Sequence, residues 1–117
     1  MPHFIIDCSA EITQHASAEK IIQTVYDTAI NSGLFAKEGL NGVKVRIQPY
    51  QDYTVVKSKD HFIHVFAHIL EGRTDGQKQE LSSSVVKALS SLLPGVSYVS
   101  MNVYEFEKSS YFNKSGV

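Results

Sequence analysis

HFIHVFAHIL, residues 61–70, reads as a strand with two different faces. Side chains alternate along an extended chain, so Ile63, Val65, Ala67 and Ile69 share one side. Phe62, Phe66 and Leu70 point to the other. The first face is expected to meet helices. The second is too apolar to be left to bulk water, which predicts that the chain oligomerises through it. The opening triplet His61-Phe62-Ile63 repeats His3-Phe4-Ile5, 58 positions earlier. Ser17, where a helical pattern starts, has Thr74 as its counterpart 57 positions later. Two different features with nearly the same spacing indicate an internal repeat.

Each half then reads as strand, helix, strand. Residues 2–8 form an apolar run of strand length. Ala18, Ile21, Ile22, Val25, Tyr26, Ala29 and Ile30 recur at the three-and-four spacing of an amphipathic helix. Ser17 is its expected N-cap, Glu19 suits its first turn, and Gly33 is placed to end it. Val43, Val45 and Ile47 alternate with Lys44, Arg46 and Gln48, as in a strand with one buried face. In the second half a helix opens at Thr74, with Gln77 completing a capping box. It carries Leu81, Val85, Leu89 and Leu92 inward and stops at Pro94-Gly95. Residues 96–106 read as the last strand, 51–60 as the polar crossing between halves, and 107–117 as a tail.

A strand–helix–strand unit implies parallel pairing and a right-handed crossover. The expectation is one α+β domain over residues 1–117, with repeat one at 2–50 and repeat two at 61–106. Two tandem βαβ units side by side give a four-stranded sheet with both helices on one face.

Composition narrows the function. The 117 residues are 43% hydrophobic and 20% charged with a net charge of −1, so no basic excess marks a nucleic-acid surface. No apolar run approaches the roughly 18 residues of a membrane span, and the start does not resemble a signal peptide. The single cysteine, Cys8, permits no internal disulfide and fits a reducing compartment, so the cytoplasm is expected.

Pro2 carries the sharpest chemical suggestion. Removal of Met1 would make it a free secondary amine. An α-amine has a reference pKa of about 7.7–8.0, and partial burial lowers it. A general base works best when its pKa is close to the operating pH. The strand that follows can hold such an amine rigidly. Arg73 lies just ahead of the helix opening at Thr74, where the helix dipole favours anions, and its planar fork can grip a carboxylate. The bland alternative for Arg73 is a solvated turn residue, and for Lys44 and Arg46 the wet face of a strand.

His64 and His68 do not read as a metal pair. Four residues of strand span about 13 Å, too far for two imidazoles to share an ion. His3 and His61 hold equivalent places in the repeats, which suggests a structural role. Cys8 reads as a small core residue. Tyr26, Tyr50, Tyr53, Tyr98, Tyr104 and Tyr111 read mainly as packing residues.

The opening MPHFI, the Gly33-Leu34-Phe35 segment with Gly39 after it, the Glu71-Gly72-Arg73 turn and the Tyr111-Phe112-Asn113 tail occur in a telling order. Together they resemble the 5-carboxymethyl-2-hydroxymuconate isomerases of the tautomerase superfamily. The resemblance implies a tautomerase-like homotrimer whose sheets line its interior, with no metal or organic cofactor. It implies tautomerisation of an unsaturated dicarboxylate of hydroxymuconate type, from aromatic catabolism. Pro2 would be the catalytic base and Arg73 the cation that holds a carboxylate and stabilises the dienolate.

Relatives of this type carry arginine soon after the GLF…G segment, where this chain reads Asn41-Gly42-Val43. Asn41 takes that place as a substrate-binding candidate. Arg46 is the candidate to supply the missing charge, from a face that alternation alone leaves open. Phe112 is the candidate tail aromatic over the site. The expected partner is a small unsaturated carboxylate, with no nucleic acid and no membrane. The alternatives are another enolisable acid, a trimeric interaction or binding protein of the same fold with little catalysis, and a dimeric ferredoxin-like module.

Overall fold

Ser17 and Thr74 start the two long helices. The Ser17 hydroxyl accepts from the Lys20 N–H at 3.1 Å, at the head of a helix over Ala18–Asn31. At Thr74 the capping box is complete: its hydroxyl accepts from Gln77 N–H at 3.1 Å, and the Gln77 side chain accepts from Thr74 N–H at 2.9 Å. Gly33 follows the first of these helices with φ of 74°, a left-handed conformation that favours glycine.

The computed structural model describes residues 1–37, 42–56 and 60–116. In chain order the elements are β1 (His3–Ser9), α1 (Ile12–His15), α2 (Ala18–Asn31), β2 (Lys44–Tyr50), β3 (Phe62–Leu70), α3 (Asp75–Leu92) and β4 (Tyr98–Phe106). Short 3-10 turns follow at Lys108–Ser110 and Lys114–Gly116. The sheet order is β2-β1-β3-β4. β1 pairs with β2 and β3 with β4 in parallel, while β1 and β3 run antiparallel at the centre. The pairs Ile6↔Val65 and Asp7↔His64 exchange under the 58-residue offset, so a local two-fold passes between them.

Alternation in β3 sorts its side chains as the sequence predicts. Ile63, Val65, Ala67 and Ile69 are fully buried, together with Phe4, Ile6 and Cys8 from β1. Ile21, Val25 and Ala29 of α2 and Leu81, Val85 and Leu89 of α3 close the core from the helix side. Three details differ from the sequence reading. Leu93, one residue beyond α3, is the buried leucine, while Leu92 packs only partly. Leu93 lies four residues after Leu89, and its N–H still bonds the Leu89 carbonyl at 2.8 Å. β4 begins at Tyr98 because the Val96 N–H turns back to the Leu93 carbonyl at 3.1 Å. The segment after β1 contains the extra turn α1, which buries Ile12 among otherwise polar neighbours.

Burial pushes the Cys8 thiol up to about 11, aided by the Asp7 charge, which keeps it an inert core residue at neutral pH. Among the described residues no helix is long and apolar enough to cross a membrane. The face opposite the helices is aromatic. His68 stacks on Tyr104 and Phe106 at 5.2 and 6.0 Å, His64 meets Phe66 edge-on at 4.4 Å, and Tyr111 from the tail stacks on Phe106 at 5.8 Å.

Candidate active site

Register gathers the candidate residues. β1 starts opposite both the start of β2 (His3↔Lys44) and the end of β3 (His3↔His68), and β3 ends beside the end of β4 (Leu70↔Phe106). Pro2, the Glu71–Arg73 turn, the head of α3 and the tail after β4 therefore share one end of the sheet. Pro2 is buried there, and its carbonyl accepts the Lys44 N–H at 3.0 Å. The Met1 amino group donates to the Gly42 carbonyl.

Arg73 is held rather than splayed into solvent. Its guanidinium donates to the Leu70 carbonyl at 3.1 Å and the Leu34 carbonyl at 2.6 Å, and lies 5.1 Å over the Phe35 ring. Phe35 in turn meets Phe4 of β1 edge-to-face at 5.9 Å. One side chain thus clasps the segment after α2 to the turn before α3. Gly72, with φ of 119°, makes that turn possible. Arg73 also lines a cleft of about 650 Å³ with Leu34, Lys37, Glu71, Gln77 and Lys108. Pro2 is not in the wall of this cleft. It sits just past the first β1–β3 pair, beside the strand whose last carbonyl Arg73 holds.

The face of Arg46 is settled by register. It stands opposite Ile5 on the uncovered side of the sheet, with Nη1 3.2 Å from Nδ1 of His3. A guanidinium only donates, so Nδ1 accepts and the ring proton sits on Nε2. Burial holds His3 below the ordinary histidine value, as do the charges of Arg46, Lys44, the amino terminus and His68. Phe112 is 72% exposed, and its ring lies against Gly116 of its own tail. The tail aromatic brought to the end of the sheet is Tyr111. Asn41 lies outside the described residues.

Sequence reasoning missed His3 as the partner of Arg46. The alternation put Lys44 and Arg46 on one side of their strand, but only the β1–β2 register puts His3 on the same side.

His3 and His64 together give a pH dependence. His64 is held low by burial, against an opposing pull from Asp7, while its Nδ1 lies 2.6 Å from the Ser100 hydroxyl. A depressed native pKa means that the unfolded chain takes up the proton first. The stabilisation is therefore complete above about 6.5 and lost as pH falls through the native values. Urea midpoints are expected to fall between about pH 8 and about pH 5, and His64→Asn should make the fall shallower. A midpoint that follows the same curve in wild type and variant would contradict this.

A sheet of two antiparallel-joined βαβ units, with helices on one face only, is the tautomerase fold. The chain superposes with a TM-score of 0.81 on a 5-carboxymethyl-2-hydroxymuconate isomerase from Deinococcus radiodurans R1, at 16% identity, covering 97% of this chain and 88% of that one. Pt0534 inactivated by 2-oxo-3-pentynoate gives 0.77 at 18% identity, covering 98% and 94%. A wild-type fused 4-OT, a symmetric trimer, gives 0.75 at 18% identity with the same coverage. No curated protein matches the chain in sequence. Residues 2–116 match the profile of the 5-carboxymethyl-2-hydroxymuconate isomerase family, and the chain belongs to that family. It is an isomerase of the tautomerase type.

Proposed function

We propose that the protein is a homotrimeric tautomerase that ketonises a hydroxymuconate-type unsaturated dicarboxylate, with the Pro2 amine as general base once Met1 is removed. The observation that carries this reading is the seat of Pro2. It is buried at the start of a core strand, at the end of the sheet where the cations Lys44 and Arg73 are also held. Neighbouring positive charge favours the neutral amine, which is the form that accepts a proton. The Pro2 nitrogen takes the enol O–H proton as the C–O bond becomes a carbonyl. The conjugated electron pair moves along the diene to a carbon, and the proton returns there. A nearby cation stabilises the dienolate as its charge develops. The aromatic part of the uncovered face, carried by β3 and β4, is the surface on which three copies would meet, in keeping with the trimer formed by the fused 4-OT.

The test is covalent. A 2-oxo-3-alkynoate adds a free amine at the alkyne carbon β to its ketone, and the α carbon gains the proton, so the whole reagent is retained. Protein beginning at Pro2 is expected to take up one 2-oxo-3-pentynoate per chain on the Pro2 nitrogen, in step with loss of ketonisation. Full activity in labelled protein, or a label settled on another residue, would defeat the reading.

A further inference from the structure

Asn41, Gly42 and Val43 carry no charge, so the first cations along β2 are Lys44 and Arg46. Both are exposed in the single subunit and lie on the uncovered face of the edge strand β2, in register with His3 and Ile5. The Lys44 ammonium turns back to the Gly42 carbonyl at 3.3 Å, the same oxygen that the Met1 amino group uses. Arg46 spends one N–H on a neutral ring nitrogen, His3 Nδ1. Among the described residues the ion pairs are made by Lys78 with Asp75 and Glu105, and neither Lys44 nor Arg46 meets a carboxylate. Two cations two residues apart thus share one face of β2 near the start of β1, with no carboxylate on either among the described residues. A guanidinium aimed by a neutral acceptor keeps its full charge and its remaining donors for a planar oxyanion.

We propose that Lys44 and Arg46 form the subsite for the substrate's second carboxylate, with His3 as the positioning residue that aims the Arg46 guanidinium. That the ligand is a substrate rests on the tautomerase reading, while the subsite itself is tested by binding alone. It assigns the selection of diacids over monoacids to β2. The groups facing His3 are Arg46 and Lys44 from β2, the amino terminus, His68 from β3 and the Phe106 ring from β4. Its depressed basicity agrees with a ring that stays neutral between those cations.

The test uses trans,trans-muconate and sorbate, two dienoates of the same carbon skeleton that differ in the second carboxylate and contain no enol to ketonise. Binding to protein beginning at Pro2 is followed through the histidine ring resonances. His15 and His61, whose rings meet at 5.9 Å at the other end of the sheet, serve as the reference. Wild type is expected to bind muconate about tenfold or more tightly than sorbate, with His3 shifting and His15 still. Arg46→Ala and Lys44→Ala should each remove most of that preference, weakening muconate far more than sorbate. His3→Leu should weaken muconate, and His3→Asn, which keeps an acceptor near the place of Nδ1, should restore it. A preference that survives the Arg46→Ala, Lys44→Ala double variant overturns the subsite, as does a wild type without preference. Because neither ligand reacts, a failed subsite and a failed Pro2 base give separate results: the first appears in binding, the second in ketonisation and labelling.

Discussion

Protein that keeps Met1 is expected to ketonise 2-hydroxymuconate about 10²–10⁴ times more slowly than protein that begins at Pro2, the usual contribution of one general base. With Met1 attached, the Pro2 nitrogen is an amide whose lone pair is delocalised into the carbonyl. The nearest amine is then that of Met1, about 3.8 Å of backbone further on and engaged with the Gly42 carbonyl. Displacement of a reacting group by far less than this already costs about 10²-fold. The measurement is an ultraviolet progress curve on two preparations, each verified by intact mass. Equal rates would mean that Pro2 is not the base and would shift weight towards a binding role.

Phe4→Ala is expected to cost about 3–5 kcal/mol, and with it roughly 10–20 °C of melting temperature. Phe4 is fully buried in the central strand pair, and its ring meets Phe35 edge-to-face. Deleting it removes apolar contact area and leaves a void that the antiparallel β1–β3 pair cannot close. The same void lies beneath Phe35, the ring that Arg73 covers. Activity per folded molecule should therefore fall as well, since the Arg73 clasp and the strand that carries Pro2 both loosen. Phe4→Leu, which refills most of the volume, should recover most of the stability. Urea unfolding of the three proteins decides it, and a loss under about 1 kcal/mol for Phe4→Ala would contradict the packing described.

Much of the architecture was legible because its signals are local. Strand β3 announces itself by alternation, and the hydroxyls of Ser17 and Thr74 place two helix starts within a residue. The buried face of α2 follows from the spacing of Ile21, Val25 and Ala29. The short turn α1 was hidden, since a single apolar residue, Ile12, carries it among polar neighbours. The candidate site was harder to read, because its contacts join distant parts of the chain. Arg73 could be placed at a helix start from sequence, but its bond to Leu34 and its seat on Phe35 depend on how α2 packs against the second unit. Arg46 was equally placed in a strand. Its partner, His3, follows only from knowing that Ile5 stands opposite it. Phe112 shows the converse: an aromatic in the right part of the tail lies on Gly116, while its neighbour Tyr111 reaches the sheet.

The two-fold between β1 and β3 bears on stoichiometry. Under the 58-residue offset the twin of Pro2 is Asp60, at the opposite end of the sheet. The two ends are equivalent in strand direction, yet the nitrogen of Asp60 lies inside the chain and is an amide. Symmetry of backbone is thus broken by covalent continuity, and under the proposed mechanism each subunit would offer one reactive end. In the proposed trimer, six like strand starts would carry three titratable amines, so a reagent selective for them should saturate at half the number of repeats.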